Sequence, residues 1–373
     1  MAHFVRDAGS DLTPTQHSNN LFFEHLKLMT LGKGMAGKQG SGKPIIMDFT
    51  LKANAGDTVR HTFIPYVHAD PIRGQEKMIL GNENSYDEYK LDVTVDVMNF
   101  AFARRGVMTE QRTLYNTRQI LSKMIAQNFE QYNEDVIFKV LSGVNFNDDD
   151  SGTYLDVTDE TDRVSGGNRI IRAAGSNSST EMTSATSENV ALNAAMAGTD
   201  TLSPQLIEDA AVMARTGNSA LNGATDAVTN TYKLTPIKVG PNNEEVFIMY
   251  CSLKAARDLK RQDDWLAHSY ALSERGFETS PIAKGALGVW DNVIIKPTER
   301  ILEFGPDGTQ YARNLLLGAD AAFCGWAQTL DYTEEMEDHD TRLSVNGREI
   351  RGEKKVTFNG CDLGVAQIIT ASN

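Results

Sequence analysis

Two glycine-rich spellings near the N-terminus are the first candidates for chemistry. Gly32-Lys33-Gly34-Met35-Ala36-Gly37 matches the dinucleotide-binding fingerprint, and Asp57 stands about 20 residues on, where an acid would meet a ribose. That chemistry needs a strand before the first glycine and a helix opening at the third, so that the helix N-terminus faces the pyrophosphate. Gly40, Gly42 and Pro44 forbid such a helix, and the segment reads as a flexible arm. Gly37 to Lys43 also has the glycine and lysine spacing of a phosphate-binding loop, but Pro44 occupies the position where Ser or Thr must reach magnesium.

The acidic candidates fare no better. Asn147-Asp148-Asp149-Asp150-Ser151-Gly152 resembles the opening of a calcium loop, yet the register places Thr158 where a bidentate Glu is required. A solvated turn fits it better. The run Asp331, Glu334, Glu335, Glu337, Asp338 and Asp340 could hold a hard cation at a subunit junction, although such a run is more often a wet surface. The seven histidines are scattered, with His61 and His68 in or beside a strand, and neither His-Glu-x-x-His nor a Gly-x-Ser-x-Gly elbow occurs. Cys251, Cys324 and Cys361 are widely spaced and odd in number, so neither a disulfide framework nor a zinc site is readable, and reduced, buried thiols are expected. No catalytic, cofactor-binding or metal-binding residue is assigned from the sequence, and no cofactor is expected.

Composition narrows the function classes. The chain has 373 residues, 40% of them hydrophobic, enough to bury a large core divided among two or three domains. Its net charge of −14 carries no basic run, so it lacks the electrostatic footprint of a protein that seeks phosphate backbones, and any nucleic-acid contact is expected to be weak and non-specific. Residues 1 to 10 carry charges where a secretory signal needs an apolar stretch, and no apolar run approaches the length of a membrane span. The bacterial cytoplasm is the expected site of synthesis, with no membrane partner.

The elements that would position any site follow from periodicity. Residues 1 to 44 form the arm, with a short apolar stretch from Leu21 to Leu31. Ile45 to Phe49, Thr58 to Val67 and Leu91 to Val97 read as strands, the last alternating Leu and Val against Asp and Thr. The turn-rich stretch Ala69 to Tyr89 between them suggests a long two-stranded excursion, which alone is marginal in water and needs a partner surface. From Thr109 to about Leu141, Leu114, Leu121, Ile125, Phe129, Tyr132, Val136 and Val140 recur at three, four or seven, one helical stripe without Gly or Pro. Such a helix would be about 45–50 Å long at its standard rise. Few compact domains need a rod of that length.

Gly175 to Thr201 has a linker's composition, preceded by a strand candidate at Arg169 to Ala173. A helix follows at Ser203 to Arg215, with Ser203 as N-cap and Pro204 at the first helical position. Val246 to Tyr250 reads as a buried strand leading into a helix capped by Ser252, and Asp263 to Ser273 as a short helix. Val289 to Ile295, Leu315 to Leu317 and Ala321 to Cys324 read as further strands, and the chain ends in sheet from Leu343 to Ile369. Helices and strands are interspersed without regular alternation, which predicts an α+β class.

This order, together with several short motifs, resembles the Hong Kong 97-type fold of tailed-bacteriophage major capsid proteins. Gly56-Asp57-Thr58-Val59, Gly74, Gly81-Asn82-Glu83, Val93 to Val97 and Met108-Thr109-Glu110-Gln111-Arg112 are similar to the extended loop and the start of the spine helix in one capsid branch. Asp263-Asp264-Trp265, Pro281-Ile282-Ala283-Lys284-Gly285-Ala286-Leu287-Gly288 and Leu316-Leu317-Gly318-Ala319-Asp320-Ala321 are similar to its axial domain. Gly347, Arg351-Gly352 and Lys354-Lys355 before a strand are in keeping, and the series spans roughly residues 45 to 370 in order.

The resemblance implies an N-terminal arm (1–44), an extended two-stranded loop with flanking strands (45–106), a peripheral domain (107–200) with a spine helix at about 109–141, an axial domain (201–328), and a return to the peripheral sheet (329–373). It implies a shell protein of the virion rather than an enzyme, self-assembling into pentamers and hexamers around double-stranded DNA. Its partners would be its own copies, a separate scaffold, a portal and decoration proteins. Arm residues 1–44 and loop residues 66–90 would contact adjacent subunits. The competing readings are a soluble enzyme with an unrecognised site, and another phage structural or surface-binding protein.

Overall fold

The computed structural model describes residues 35–52, 56–63, 89–104, 117–142, 170–173, 179–181, 198–216, 233–239, 244–266, 286–304, 311–337, 342–358 and 361–372. The calcium-loop-like run at 147–152, the first turns of the expected helix at 109–116 and the tip of the two-stranded excursion lie outside these residues.

Two sheets organise the described chain. In the first, β1 (Ala36–Gly37), β2 (Ile45–Asp48), β14 (Ala322–Glu337), β15 (Arg342–Lys355) and β5 (Asp96–Ala103) lie side by side in that order. In the second, β10 (Gly288–Trp290), β11 (Val293–Thr298), β9 (Glu244–Ser252), β13 (Tyr311–Leu317), β18 (Val365–Ala371), β6 (Ile170–Ala173) and β7 (Ser179–Glu181) follow one another. There β12 (Glu303–Phe304) flanks β13, and β8 (Ile237–Val239) flanks β9. Two small antiparallel pairs complete the set: β3 (Thr58–Phe63) with β4 (Tyr89–Thr94), and β16 (Thr357–Phe358) with β17 (Cys361–Asp362). Parallel and antiparallel pairings coexist in both large sheets, which makes the class mixed α and β as expected.

Sequence explains each helix. In α1 (Thr117–Leu141), Ile125, Ala126 and Phe129 pack on the first sheet with Trp326, Leu330, Leu343 and Val345. Two turns further on, Ile137, Phe138 and Leu141 join a second cluster with Ile248, Tyr250, Leu315 and Leu317 on one face of the second sheet. The helix therefore changes its buried side along its length and ties the two sheets together, over about 37 Å of standard rise. That explains why its C-terminal half is apolar on more than one face.

On the other face of the second sheet, α2 (Pro204–Thr216) and α3 (Leu253–Lys260) bury Leu206, Ile207, Ala210, Ala211, Met213, Ala255 and Leu259. Ser203 Oγ accepts from the Leu206 amide at 3.3 Å and Ser252 Oγ from the Ala255 amide at 3.1 Å, so both expected caps are in place.

Four strand expectations need correction. Val289–Ile295 is two strands, β10 and β11, joined by Asp291 and Asn292 at φ 43° and 60°; short polar side chains tolerate this left-handed pair, which makes a tight hairpin. Leu91–Val97 is likewise split. The chain leaves β4 at Thr94 and enters β5 at Asp96, so Met98 to Ala103 extend a different sheet. Ala321–Cys324 is only the start of the 16-residue β14, and the acidic run continues that strand through Glu337. Finally, Ser179–Glu181, within the expected linker, pairs with β6.

Candidate functional site

Two places on the first sheet carry the features that a purely structural core would not demand. The first is where the β3–β4 ribbon meets the sheet. Its strands are in register from Thr58↔Thr94 to Phe63↔Tyr89. Val59, Leu91 and Val93 are buried against Ile46, Phe323 and Val356, while the alternate residues Arg60 and Asp92 pair across the exposed face at 2.7 Å. Period-two patterning thus gives the ribbon one dry face and one wet one.

The ribbon can lie this close because of two glycines that are direct partners across the central strands, Gly325 of β14 and Gly352 of β15. A Cβ on Gly352 would stand 2.9 Å from the carbonyl carbon of Thr94, closer still to its oxygen, and 3.1 Å from Val93 Cγ1; on Gly325 it would stand 2.6 Å from Val59 Cγ2. The paired glycines form a notch that admits backbone where side chains would otherwise project. Around it, Lys354 Nζ donates to the Asp92 carbonyl at 3.3 Å, and the ring of His61 stacks on Phe323 with centroids 4.7 Å apart. His61 is buried, which holds its imidazole below the usual range despite the carboxylates of Asp320 and Asp48.

The second place lies under α1. Along β15 the odd residues face the helix, and the apolar series Leu343, Val345, Gly347 continues in the same phase into Glu349, Arg351 and Glu353. The side chains of these three are 0%, 1% and 4% exposed, so charges occupy core positions. Arg351 Nε lies 2.8 Å from Glu353 Oε1 and 3.8 Å from Glu349 Oε2, with its guanidinium 5.1 Å from the Trp326 ring centroid. Asn133 of α1 donates to Glu349 Oε2 at 3.3 Å. Burial pushes the Glu349 carboxyl up to about 7, against the opposing pull of Arg351 and Asn133, and burial raises Glu353 as well. Nearby, Arg300 clamps the same helix, with Nε 2.8 Å from Glu134 Oε2 and Nη1 on Asp135.

The sequence candidates are not brought together. Met35 to Gly37 run into the edge strand β1, and no helix follows them. Of the acidic run, Asp331 pairs with Arg348 at 3.4 Å and Glu334 with Arg118 at 3.1 Å, so both serve the sheet and the helix. Among the described residues no three His, Cys, Asp or Glu side chains are grouped to hold a metal ion. Cys251 and Cys324 are buried free thiols; burial pushes Cys251 up to about 12 and Cys324 further up, which makes both poor nucleophiles. Among the described residues no helix is long and apolar enough to cross a membrane. The notch and the charged seam were not singled out from the sequence. The seam had a readable signal, since the strand's period of two carries Glu-x-Arg-x-Glu onto the apolar face.

Comparison with known proteins gives this geometry its context. The profile described as phage capsid protein matches residues 7–373. The major capsid protein of Pseudomonas phage KPP25 is 23% identical over 336 residues, covering 83% of this chain and 82% of that one. The capsid of Ralstonia phage GP4 superposes with a TM-score of 0.75 at 22% identity, over 92% of this chain and 91% of that one. The capsid of cyanophage Pam1 gives 0.68 at 20% identity, over 91% of each.

Proposed function

The chain belongs to the phage capsid protein family, and on that premise we propose that its ribbon and arm are the parts that join one subunit to the next in a closed shell. It is the major capsid protein of a tailed-phage head, a structural component of the virion and not an enzyme. The function to be explained is therefore self-association.

The observation that supports the assignment is the ribbon base. Strands β3 and β4 are anchored at Val59 and Val93 over the Gly325–Gly352 notch and run away from it toward Phe63 and Tyr89. A two-stranded ribbon is marginal when isolated, so residues 64–88 beyond it gain most by lying on another copy. In this reading residues 1–44 are the arm, 45–106 the extended loop with its flanking strands, 107–200 the peripheral domain on the spine helix, 201–328 the axial domain, and 329–373 the returning strands. The axial domains meet in pentamers and hexamers, and heterologous contacts of this kind close into rings. The net charge of −14 suits a shell whose contact with packaged double-stranded DNA is non-specific and whose own repulsions are screened within about 8–10 Å by salt. A scaffold, a portal and decoration proteins complete the set of proposed partners.

The test is assembly of the full chain against chains lacking residues 1–44 or 66–90, read by negative-stain microscopy and sedimentation. The full chain should yield shells or five- and six-membered rings, and each deletion should leave smaller species. Shells of normal size from either deletion would overturn that segment's role.

A further inference from the structure

The first sheet carries opposite charge at its two ends. At one end, the wet face of the ribbon and the adjoining β15 gather three exposed cations around a single acid. Arg60 lies 2.7 Å from the Asp92 carboxylate and Lys90 3.9 Å from it, and Lys354 Nζ donates to the Asp92 carbonyl at 3.3 Å. All three cations act on the Asp92 carboxyl, the Arg60 hydrogen bond most, and hold it below the usual range. One carboxylate cannot balance three cations, so among the described residues the cluster keeps two positive charges, on a chain whose net charge is −14.

The other end of the sheet is acidic. Glu334, Glu335 and Glu337 close β14, Asp338 and Asp340 follow in the sequence, and Arg342 opens β15. Glu334 is held by Arg118 of α1. Glu335 is exposed, and so is its neighbour Met336 at 46%, which sets an apolar contact beside the charge.

These two ends cannot meet within one subunit. Glu335 pairs with Ser344, and Lys354 stands ten residues further along β15, about 33 Å at standard strand rise. No contact between a lysine and a glutamate spans that length, whereas a second copy placed head to tail brings the ends together. Such a contact is heterologous, and repeated about an axis it closes a ring. Complementary charge on the two surfaces also fixes register and rejects wrong pairings.

We propose that the patch of Arg60, Lys90 and Lys354 at the ribbon base is a docking surface for the acidic end of the β14–β15 hairpin of a second copy of this chain. Arg60 stays paired with Asp92 and forms the floor of the patch. Lys90, only loosely engaged at 3.9 Å, and Lys354 meet the incoming Glu335 and the acids that follow it. The inference rests on the reading that the ribbon joins subunits and deepens it by naming what the ribbon base receives.

Carbodiimide coupling of the particles that the full chain forms, followed by digestion and mass spectrometry, tests the contact without any substitution. An amide should join Lys90 or Lys354 to Glu335 or Glu337, a link that only two subunits can make. Particles that couple elsewhere and lack this link overturn the proposal. Three variants complete the test: Lys90→Glu with Lys354→Glu, Glu335→Lys with Asp338→Lys, and all four changes in one chain. Each pair sets like charges against each other and should raise the concentration needed for assembly at least about tenfold, and the fourfold variant should recover native assembly. Normal assembly of either pair, or no recovery in the fourfold variant, refutes the docking. If the lysine variant forms normal shells but loses its hold on double-stranded DNA at low salt, the patch serves phosphate and the proposal is likewise overturned. The deletions described above tell the two readings apart. Normal shells without residues 66–90 sink the wider role of the ribbon, whereas disrupted deletions alongside undisturbed charge variants sink only this docking.

Discussion

Replacing Gly352 by Ala tests the notch most directly. In most sheet positions this change stabilises, because Ala has less backbone freedom to lose and fits strand geometry, a gain of about 0.4–1 kcal/mol. Here the new Cβ would meet the Thr94 carbonyl, whose carbon would be only 2.9 Å away where ordinary contact begins near 3.4 Å. The obstacle is backbone and cannot rotate aside, so the ribbon must retreat by roughly an ångström or the sheet must buckle, a strain of about 3 kcal/mol at the upper end of overpacking costs. The net effect expected is a loss of about 2 kcal/mol, a considerable fraction of a typical folding free energy. Gly325→Ala is the graded control. It meets the Val59 methyl at 2.6 Å, a side chain that can shift with its strand, and about 1 kcal/mol is expected. Urea denaturation of the full-length chains, followed by Trp fluorescence, gives the stabilities, and electron microscopy gives the yield of closed particles. Gly352→Ala should be the less stable of the two and should assemble poorly, since its ribbon leaves the sheet at an altered angle. If Gly352→Ala is as stable as the native chain and forms normal shells, the notch is not what sets the ribbon.

His61→Phe keeps the stacked ring on Phe323 and removes the titration. Because burial lowers the folded value below the 6.5 of the free side chain, native stability is lost as pH falls from about 6.5 through the folded value, and the variant should lack that acid limb in pH-dependent melting. Lys355 and Asp362 form a buried pair at 2.8 Å, so Asp362→Ala should cost about 3–5 kcal/mol by removing the buried carboxylate opposite the ammonium, measurable in the same urea assay. Ser252→Ala should cost about 1 kcal/mol by removing the acceptor for the Ala255 amide, with the loss read as a lower urea midpoint at unchanged slope.

What could be read in advance was whatever depends on local rules. Caps at Ser203 and Ser252, the helical stripe of Ile125, Phe129 and Val136, and the alternation of β15 are properties of a few neighbouring residues, and the structure has them. Boundaries failed where two elements of the same type follow without a conventional break. Val95 sits between β4 and β5 with no Gly or Pro to announce a change of sheet. Asp291-Asn292 makes a hairpin without the glycine that usually marks one. The notch was invisible for a different reason. Gly325 and Gly352 are 27 positions apart, and only pairing of β14 with β15 makes them neighbours under a third segment. Length of helix and ribbon suggested a subunit that needs its copies, but the sequence carried no sign of where the ribbon is fastened.

Glu349 also shows why perturbed acids do not by themselves argue for catalysis. A carboxyl held near neutrality by burial, with a second carboxyl and an arginine beside it, has the electrostatic signature that marks many active sites. What separates the cases is access. A catalytic acid must touch a reactant, whereas the Glu349 side chain is 0% exposed and lies under Asn133 of α1, which donates to it at 3.3 Å. The same desolvation that would tune an enzyme here acts on an acid sealed between a helix and a sheet. In a protein whose work is to hold a shape, a shifted titration is coupled to that shape, because Asn133, Arg351 and Glu353, which act on this acid, are themselves parts of the helix and the sheet.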